Sequence, residues 1–371
     1  MFGEQDFIQY WTAFKFFING ENPYDIEATR ALQCSLGHDC DQVLVSWNPP
    51  WLLILMSPVL LLPFTMAAKG WVVVGFALSA AAAFLVADCY RQDLRSTIYA
   101  LIGVFINAPL LLSAGFGQTG SLLLFAAALL LHGRVKSGSS LQQAIALVLL
   151  SVKPHLFILV AAAFLWDELR RKQLRIVFQS ASILAFFSAV LIVVNPMILP
   201  TWLNHIVGKS DTDGILGLTE WNTPTLGNLL RHIAQQFSEG RADTFLFFTP
   251  AAAAAGLAWW LWRSPSIDWR CVMPPLIALS LWFAPYGWAY DWAVLGVLQA
   301  SLLCWLATGG ADRTLWSATA VIVGTQFTAG YMTLRLQLTL DKLIWLPAVL
   351  LVLWYIAGRK AGERELPTHG V

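Results

Sequence analysis

Long apolar stretches recur along most of this chain, and short polar breaks separate them. Of 371 residues, 57% are hydrophobic and only 12% are charged, whereas a soluble domain carries roughly 25% charged residues. A soluble fold could not wet that much apolar surface, and a net charge of +1 gives no long-range attraction for a polyanion. The sequence therefore excludes an ordinary cytosolic protein, a disordered chain, collagen and a nucleic-acid-binding protein. It predicts an all-α polytopic membrane protein, and the 18 Trp agree, since indole rings favour the membrane–water boundary.

About 11 apolar stretches are predicted to cross the membrane, and those shorter than roughly 20 residues are expected to be broken or buried helices. A further apolar stretch at 51–66 is flanked by prolines and is expected to lie against the outer face as a juxtamembrane helix. The region 141–166 is divided into two short helices that meet at Lys153-Pro154-His155, because non-helical backbone at that depth is tolerated where it lines a cavity. The predicted crossings are 70–88, 97–113, 121–131, 141–150, 156–166, 175–194, 245–262, 271–284, 292–307, 314–332 and 343–357.

The distribution of Lys and Arg predicts which side each break faces. Basic residues stay preferentially on the cytoplasmic side of a membrane. The breaks that are rich in them are 88–97, 132–140, 167–175, 263–270, 308–313 and the C-terminal tail, which are assigned to the inside. The alternate breaks, assigned to the outside, are 1–69, 114–120, 151–155, 195–244, 285–291 and 333–342. No cleavable signal peptide and no internal repeat are recognised.

One integral-membrane domain over 1–371 is predicted. Its parts are a first outer loop with juxtamembrane helices at 1–69, N-terminal helices at 70–194, a large outer loop at 195–244 and C-terminal helices at 245–371.

The polar motifs that least resemble membrane filler all fall in breaks assigned to the outside. Ionisable groups at membrane depth cost roughly 2.5–3.5 kcal/mol, so they tend to be functional. Their co-location indicates a pocket open to the outer leaflet. The motifs are DFIQYW from Asp6, GENPYD from Gly20, Asn48-Pro49-Pro50, GQTG from Gly117, KPH from Lys153, WNTP from Trp221 with the nearby Arg231, and PYGWAYD from Pro285.

Each of these residues also has a purely structural explanation, which the sequence leaves open. A terminal charge such as Asp6 is commonly solvated or an N-cap, and a Lys beside a proline commonly reaches the headgroups. Gln118 is explained as a helix cap, Asp291 as a helix N-terminal charge, and the aromatic residues near it as interface anchors.

Other chemistries have weaker support in the sequence. There is no glycine-rich phosphate loop, which argues against a sugar-nucleotide or ATP site, and no G-x-S-x-G motif. Cys34 and Cys40 with His38 provide too few ligands for a standard metal site, and a disulfide on the oxidising side is favoured. No cofactor or metal is predicted: Asp6 and Glu4 are close enough to share a divalent cation, but solvated charge is the preferred explanation.

Taken in order, these motifs resemble those of the family 87 glycosyltransferases, which belong to the GT-C class of integral membrane enzymes. The resemblance rests on D-F-x-x-Y-W, G-x-x-P-Y-D, P-P, G-Q, K-P and P-Y-x-x-x-Y-D, and it runs from Asp6 to Asp291. Each motif is short, and the ordered set carries the specificity.

The resemblance implies an enzyme that transfers a sugar from a polyprenyl-phosphate donor to a lipid-linked or glycan acceptor. Transfer is expected with inversion on the periplasmic side of a bacterial inner membrane, with mannose and α-1,2 linkages best known for the family. By motif match, Asp6 is the expected catalytic base. The expected donor-phosphate ligands are Lys153, His155 and Arg231. The expected substrate-binding residues are Tyr10, Trp11, Tyr24, Asp25, Gln118, Asn222, Tyr286, Trp288, Tyr290 and Asp291.

One feature departs from the family pattern. Family members carry a transmembrane helix before the catalytic loop, whereas this sequence begins five residues before Asp6, so the first family helix is expected to be missing. Two other functions stay open for such a chain, namely a transporter or flippase of lipid-linked glycans and a non-catalytic subunit of polysaccharide assembly.

Overall fold

The structure is a computed structural model that describes residues 2–91, 93–207, 223–237, 245–264, 266–308, 312–334 and 340–362. Within these ranges the chain is helical and contains no β-strand, as the composition predicts. The helices of the first half are α1 (Phe7–Ile18), α2 (Ile26–Ser35), α3 (Trp51–Leu60), α4 (Phe64–Tyr90), α5 (Leu94–Phe105), α6 (Ala108–Phe116), α7 (Gly120–Val135), α8 (Ser140–Leu150), α9 (Ile158–Arg171) and α10 (Arg175–Val194). Those of the second half are α11 (Ile198–Val207), α12 (Leu226–Gln235), α13 (Phe245–Arg263), α14 (Trp269–Trp282), α15 (Leu295–Thr308), α16 (Asp312–Leu334) and α17 (Leu346–Gly362), and 3-10 helices cover Pro154–Phe157, Ala289–Val294 and Leu340–Leu343.

Three of the described helices are long and apolar enough to cross a membrane: α4, α10 and the continuous segment Ala289–Thr308. Their burial differs, because 89% of the apolar window in Ala289–Thr308 is enclosed by protein but only 17% of that in α10. The segment Ala289–Thr308 is therefore the centre of the bundle, and α10 presents its side chains to lipid. Further apolar helices, such as α3, α7 and α8, are shorter than a straight span. The chain is thus a helical membrane protein, and the number of crossings stays a prediction.

The predicted crossing at 97–113 is wrong as a single helix. It is two helices, α5 and α6, bent by 57° at a short break. Asn107 lies at the break and Pro109 follows in the first turn of α6, where its missing N–H removes no intrahelical bond. Asn107 Nδ2 donates to the Ala293 carbonyl over 2.8 Å, so the break is fixed to the central helix.

The predicted juxtamembrane helix at 51–66 is also wrong in its extent. It ends at Leu60, and α4 begins at Phe64 after a turn. Pro63 is the residue before α4, with extended backbone, and a proline disfavours helix in the residue that precedes it. The crossing predicted from residue 70 therefore starts six residues earlier, inside the segment assigned to the first outer loop. The predicted division of 141–166 at Lys153-Pro154-His155 is confirmed.

Contacts between breaks agree with the two-sided assignment. Arg134 belongs to the predicted break at 132–140. It pairs with Asp167 over 2.6 Å and with Glu168 over 2.7 Å, and all three side chains are buried. At the same end, Arg170 Nη1 donates to the Ser264 carbonyl over 2.7 Å. α9 continues to Arg171, so this charged run is the last turn of a helix rather than the predicted break.

The breaks assigned to the outside meet one another in the same way. Trp51 Nε1 donates to Ser151 Oγ over 3.1 Å, and Asn195 Nδ2 donates to the Glu21 carbonyl over 2.7 Å. Each contact joins two breaks of one predicted side. The grouping of the breaks by side is therefore supported by contacts, and the side that faces the cytoplasm rests on the charge distribution alone.

Candidate active site

Four of the breaks assigned to the outside, 1–69, 114–120, 151–155 and 285–291, line a cavity of about 560 Å³. The lining includes nine of the residues predicted for the site, together with eight that were not predicted for it. The predicted residues that line it are Asp6, Tyr10, Gln118, Lys153, His155, Tyr286, Trp288, Tyr290 and Asp291, and the others are Gln9, Gln42, Val43, Leu44, Val45, Trp47, Asn48 and Phe116.

Asp6 is positioned by the end of α6. The last carbonyls of a helix have no partner within the helix. Here the N-terminal segment supplies donors for two of these carbonyls. Gly3 N–H donates to Gly115 O over 2.7 Å, and Asp6 N–H donates to Phe116 O over 2.8 Å. The main chain of Asp6 is therefore fixed by the same bonds that end α6.

The Asp6 carboxylate does not cap α1. Asp6 occupies the N-cap position, but its side chain makes no capping hydrogen bond. Instead, Gln118 Nε2 donates to Asp6 Oδ2 over 2.7 Å. Burial raises the pKa of Asp6 above its ordinary value of 3.8, while the Gln118 bond and the charge of Lys153 act in the opposite direction and that of Asp291 adds to the increase. The result is a partly buried carboxyl group that is more basic than a surface Asp.

Lys153 and Asp291 form a buried ion pair beside this carboxylate. Lys153 Nζ donates to Asp291 Oδ1 over 2.6 Å, and the two side chains are 8% and 1% exposed. The second carboxylate oxygen of Asp291 accepts from Trp288 N–H over 3.0 Å at the start of the 3-10 helix Ala289–Val294. The Lys153 ammonium also lies 5.3 Å from the centre of the Tyr290 ring. The pair brings one buried cation to the cavity and fixes it to the central helix.

Aromatic side chains form another part of the cavity wall. The His155 and Tyr286 rings stack with centroids 3.9 Å apart, and those of Trp288 and Tyr290 stack at 6.2 Å. Burial, with the charge of Lys153 as a smaller cause, lowers the pKa of His155 to about 3. The imidazole is therefore neutral near pH 7, so it offers a single N–H donor and no positive charge.

The wall at 42–45 is held by Gln33 on α2. Gln33 Nε2 donates to the Leu44 carbonyl over 2.7 Å, and Leu44 N–H donates to Gln33 Oε1 over 3.0 Å, so the side chain pairs with Leu44 as a neighbouring strand would. A disulfide joins Cys34, the next residue, to Cys40, with Cα atoms 4.9 Å apart. The sequence carried no signal for this wall, since the contacts come from a buried side chain in another element.

Four predicted site residues lie elsewhere in the described part of the chain. Trp11 donates through Nε1 to the Leu62 carbonyl, Tyr24 stacks on His205, and the Asp25 carboxylate caps α2. Arg231 is buried on α12 and is not among the residues that line the cavity. Asn222 lies outside the described residues. Trp11, Tyr24 and Asp25 thus have structural contacts that short motifs do not reveal.

The comparisons with known proteins give one family. The family model for glycosyltransferase family 87 matches residues 47–284. Lys153, His155 and Gln118 lie inside this range, whereas Asp6 precedes it and Asp291 follows it. No curated protein and no solved structure matches the chain.

Proposed function

This chain belongs to glycosyltransferase family 87, and on that premise we propose that it transfers a hexose, mannose, from a polyprenyl-phosphate donor. The acceptor is a hydroxyl group of a lipid-linked or glycan substrate. The reaction takes place in a bacterial cytoplasmic membrane on its periplasmic face and inverts the anomeric carbon. No cofactor is part of the proposal.

The observation that carries the proposal is that a basic carboxylate and a buried cation line one cavity. Asp6 and Lys153 both face the space of about 560 Å³, and the charge of Lys153 acts on Asp6. Inverting transfer needs both groups, a base for the acceptor and a positive charge for the leaving phosphate.

In the proposed reaction, Asp6 takes the proton of the acceptor hydroxyl while that oxygen attacks the anomeric carbon. The bond between this carbon and the phosphate oxygen breaks, and the electron pair leaves with polyprenyl phosphate. A raised pKa makes Asp6 a stronger base, and such assistance typically contributes roughly 10²–10⁴-fold.

Lys153 is proposed to bind the donor phosphate without leaving Asp291. An ammonium group has three donors, and Asp291 accepts one of them over 2.6 Å. His155 adds a neutral N–H, and Trp288, which lines the cavity, is proposed to stack on a sugar ring. Arg231 was expected to be a phosphate ligand, but it does not line the cavity, so the proposal gives it no role.

Purified protein in proteoliposomes tests the proposal. Asp6→Asn is expected to lower transfer from a radiolabelled polyprenyl-phosphate mannose by roughly 10²–10⁴-fold. The control is Asp25→Asn, since Asp25 is an exposed cap of α2 outside the cavity and Asn also caps well. Full activity of Asp6→Asn would refute Asp6 as the base. Lipid translocation with no glycosidic bond formed would favour a flippase.

A further inference from the structure

Gln118 is fixed beside Asp6 through its main chain. Its main-chain N–H donates to the Ser113 carbonyl over 2.8 Å, and its main-chain carbonyl accepts from Trp71 Nε1 over 3.1 Å. The residue before it, Gly117, has a φ of +75°, a conformation that favours glycine. Gln118 is 5% exposed, so both its main chain and its side chain are enclosed.

The orientation of the Gln118 amide is determined by a chain of hydrogen bonds. Asn48 Nδ2 donates to Tyr10 Oη over 3.2 Å, and Tyr10 Oη donates to Gln118 Oε1 over 2.8 Å. The amide nitrogen of Gln118 therefore points to Asp6 and donates to Oδ2 over 2.7 Å. The opposite orientation would place Gln118 Oε1 against Asp6 Oδ2, two acceptors together, and the Tyr10 hydroxyl holds the observed orientation by donating to Oε1.

We propose that Gln118 is a positioning residue for Asp6, with Tyr10 and Asn48 fixing its amide, rather than a residue that binds the sugar. The inference rests on the proposed function of Asp6 as the base. Among the described residues, Gln118 provides the only side-chain hydrogen bond to Asp6. One carboxylate oxygen is thus held, and the carboxylate can still accept a hydrogen bond from the hydroxyl group of the sugar acceptor.

Loss of the Gln118 bond has a defined effect on protonation. The hydrogen bond favours the charged carboxylate, so its removal raises the pKa of Asp6 further. The other groups that act on Asp6 are Lys153, which lowers the pKa, and Asp291, which raises it; both remain in the variant. In a plot of transfer rate against pH, the acid limb must then move to higher pH, because only the deprotonated carboxylate acts as a base.

The test compares Gln118→Leu with the wild type in the transfer assay across pH. Hydrogen bonds to charged groups predict roughly a 10- to 100-fold decrease in kcat, with the acid limb displaced to higher pH and the KM for donor little changed. Tyr10→Phe, which removes the hydroxyl that donates to Gln118 Oε1, is expected to shift the acid limb in the same direction by less. The control is Gln173→Leu, an exposed glutamine beyond α9, which should leave the profile unchanged.

The outcomes separate this inference from the proposed function. If Asp6→Asn is inactive while Gln118→Leu keeps the wild-type kcat and acid limb, Gln118 does not position the base. An increased KM with an unchanged acid limb would make Gln118 a substrate contact and overturn the inference. If Asp6→Asn is active, the proposed function fails first. Should Gln118→Leu fail to fold, Tyr10→Phe decides by the presence or absence of the shift.

Discussion

The buried pair of Lys153 and Asp291 gives a prediction whose size follows from the structure. The change is a set of three variants: Lys153→Met, Asp291→Asn and the double variant. Each single change removes one partner of an enclosed ion pair, since the two side chains are 8% and 1% exposed. Removal of one partner from such a pair costs about 3–5 kcal/mol of unfolding free energy.

The two single variants are expected to differ. After Lys153→Met, Asp291 keeps its bond from Trp288 N–H at 3.0 Å. After Asp291→Asn, the lysine ammonium keeps a neutral amide in place of a carboxylate, the Tyr290 ring at 5.3 Å and the opposite charge of Asp6. Lys153→Met removes the cation from two carboxyl groups, so it should lie toward the upper end of the range. The double variant leaves neither member of the pair charged, so it should cost about 3 kcal/mol less than the sum of the singles.

The measurement is an SDS titration of the purified protein, followed by tryptophan fluorescence. A second readout is a thiol-reactive dye during heating, because Cys89 and Cys304 are buried and react only when the fold opens. If the cost of the double variant equals the sum of the two single costs within about 0.5 kcal/mol, the reasoning is refuted, since independent sites behave in that way. The ion pair would then contribute nothing specific to the cavity.

Three further predictions concern the fold and the proposed base. Arg134→Met should lower the free energy of unfolding by about 3–5 kcal/mol in an SDS titration, because it removes the cation from the fully buried Glu168, whereas Asp167 keeps Arg171 at 3.1 Å; an unchanged midpoint would contradict this. Gly117→Ala should lower both thermal stability and sugar transfer. The added Cβ would lie 2.7 Å from the Cβ of Phe7, and the left-handed backbone costs roughly 1–2 kcal/mol for a residue other than glycine. Gly256→Ala, with open space around it in α13, should be neutral or stabilising in the same thermal assay. Transfer should rise with pH through a pKa above 3.8, because the Asp6 carboxyl must lose its proton to act, and a limb at or below that value would argue against this base.

The grouping of the breaks into two sets was predictable because it depends on a global restraint, whereas the side that each set faces stays a prediction. Each crossing inverts the side of the next break, so one misplaced crossing would place the charged run at 167–175 on the wrong side. Contacts such as Arg134 with Asp167 then join breaks of one predicted side. The motifs at Asp6, Gln118, Lys153 and Asp291 were grouped by the same restraint, and they line one cavity.

The helix limits were less predictable, although signals for some of them were present. Asn107-Ala108-Pro109 marks the break in the predicted crossing at 97–113, since proline is favoured in the first turn of a helix. The apolar run through this point hides the break when hydropathy alone is considered. Pro63 also marks a helix start, since it is the residue directly before α4.

The wall at 42–45 could not have been found from local sequence. Its position depends on Gln33, which is buried and bonds to both polar groups of the Leu44 main chain. A glutamine in a helix gives no indication of such a partner. For the same reason, Trp11 and Tyr24 resembled site residues until their contacts with Leu62 and His205 were known.

The candidate site lies where helices end, and the membrane explains why. Backbone groups that leave a helix at membrane depth must be satisfied within the protein or line a cavity. Here the N–H of Asp6 satisfies the end of α6, and the carboxylate of Asp291 accepts the N–H of Trp288. The hydrogen bonds that satisfy the ends of the broken helices are thus the bonds that fix the two carboxylates of the candidate site. The polar cavity follows from the breaks, so the chemistry of the site can change by substitution at the helix ends while the apolar faces that hold the bundle stay as they are.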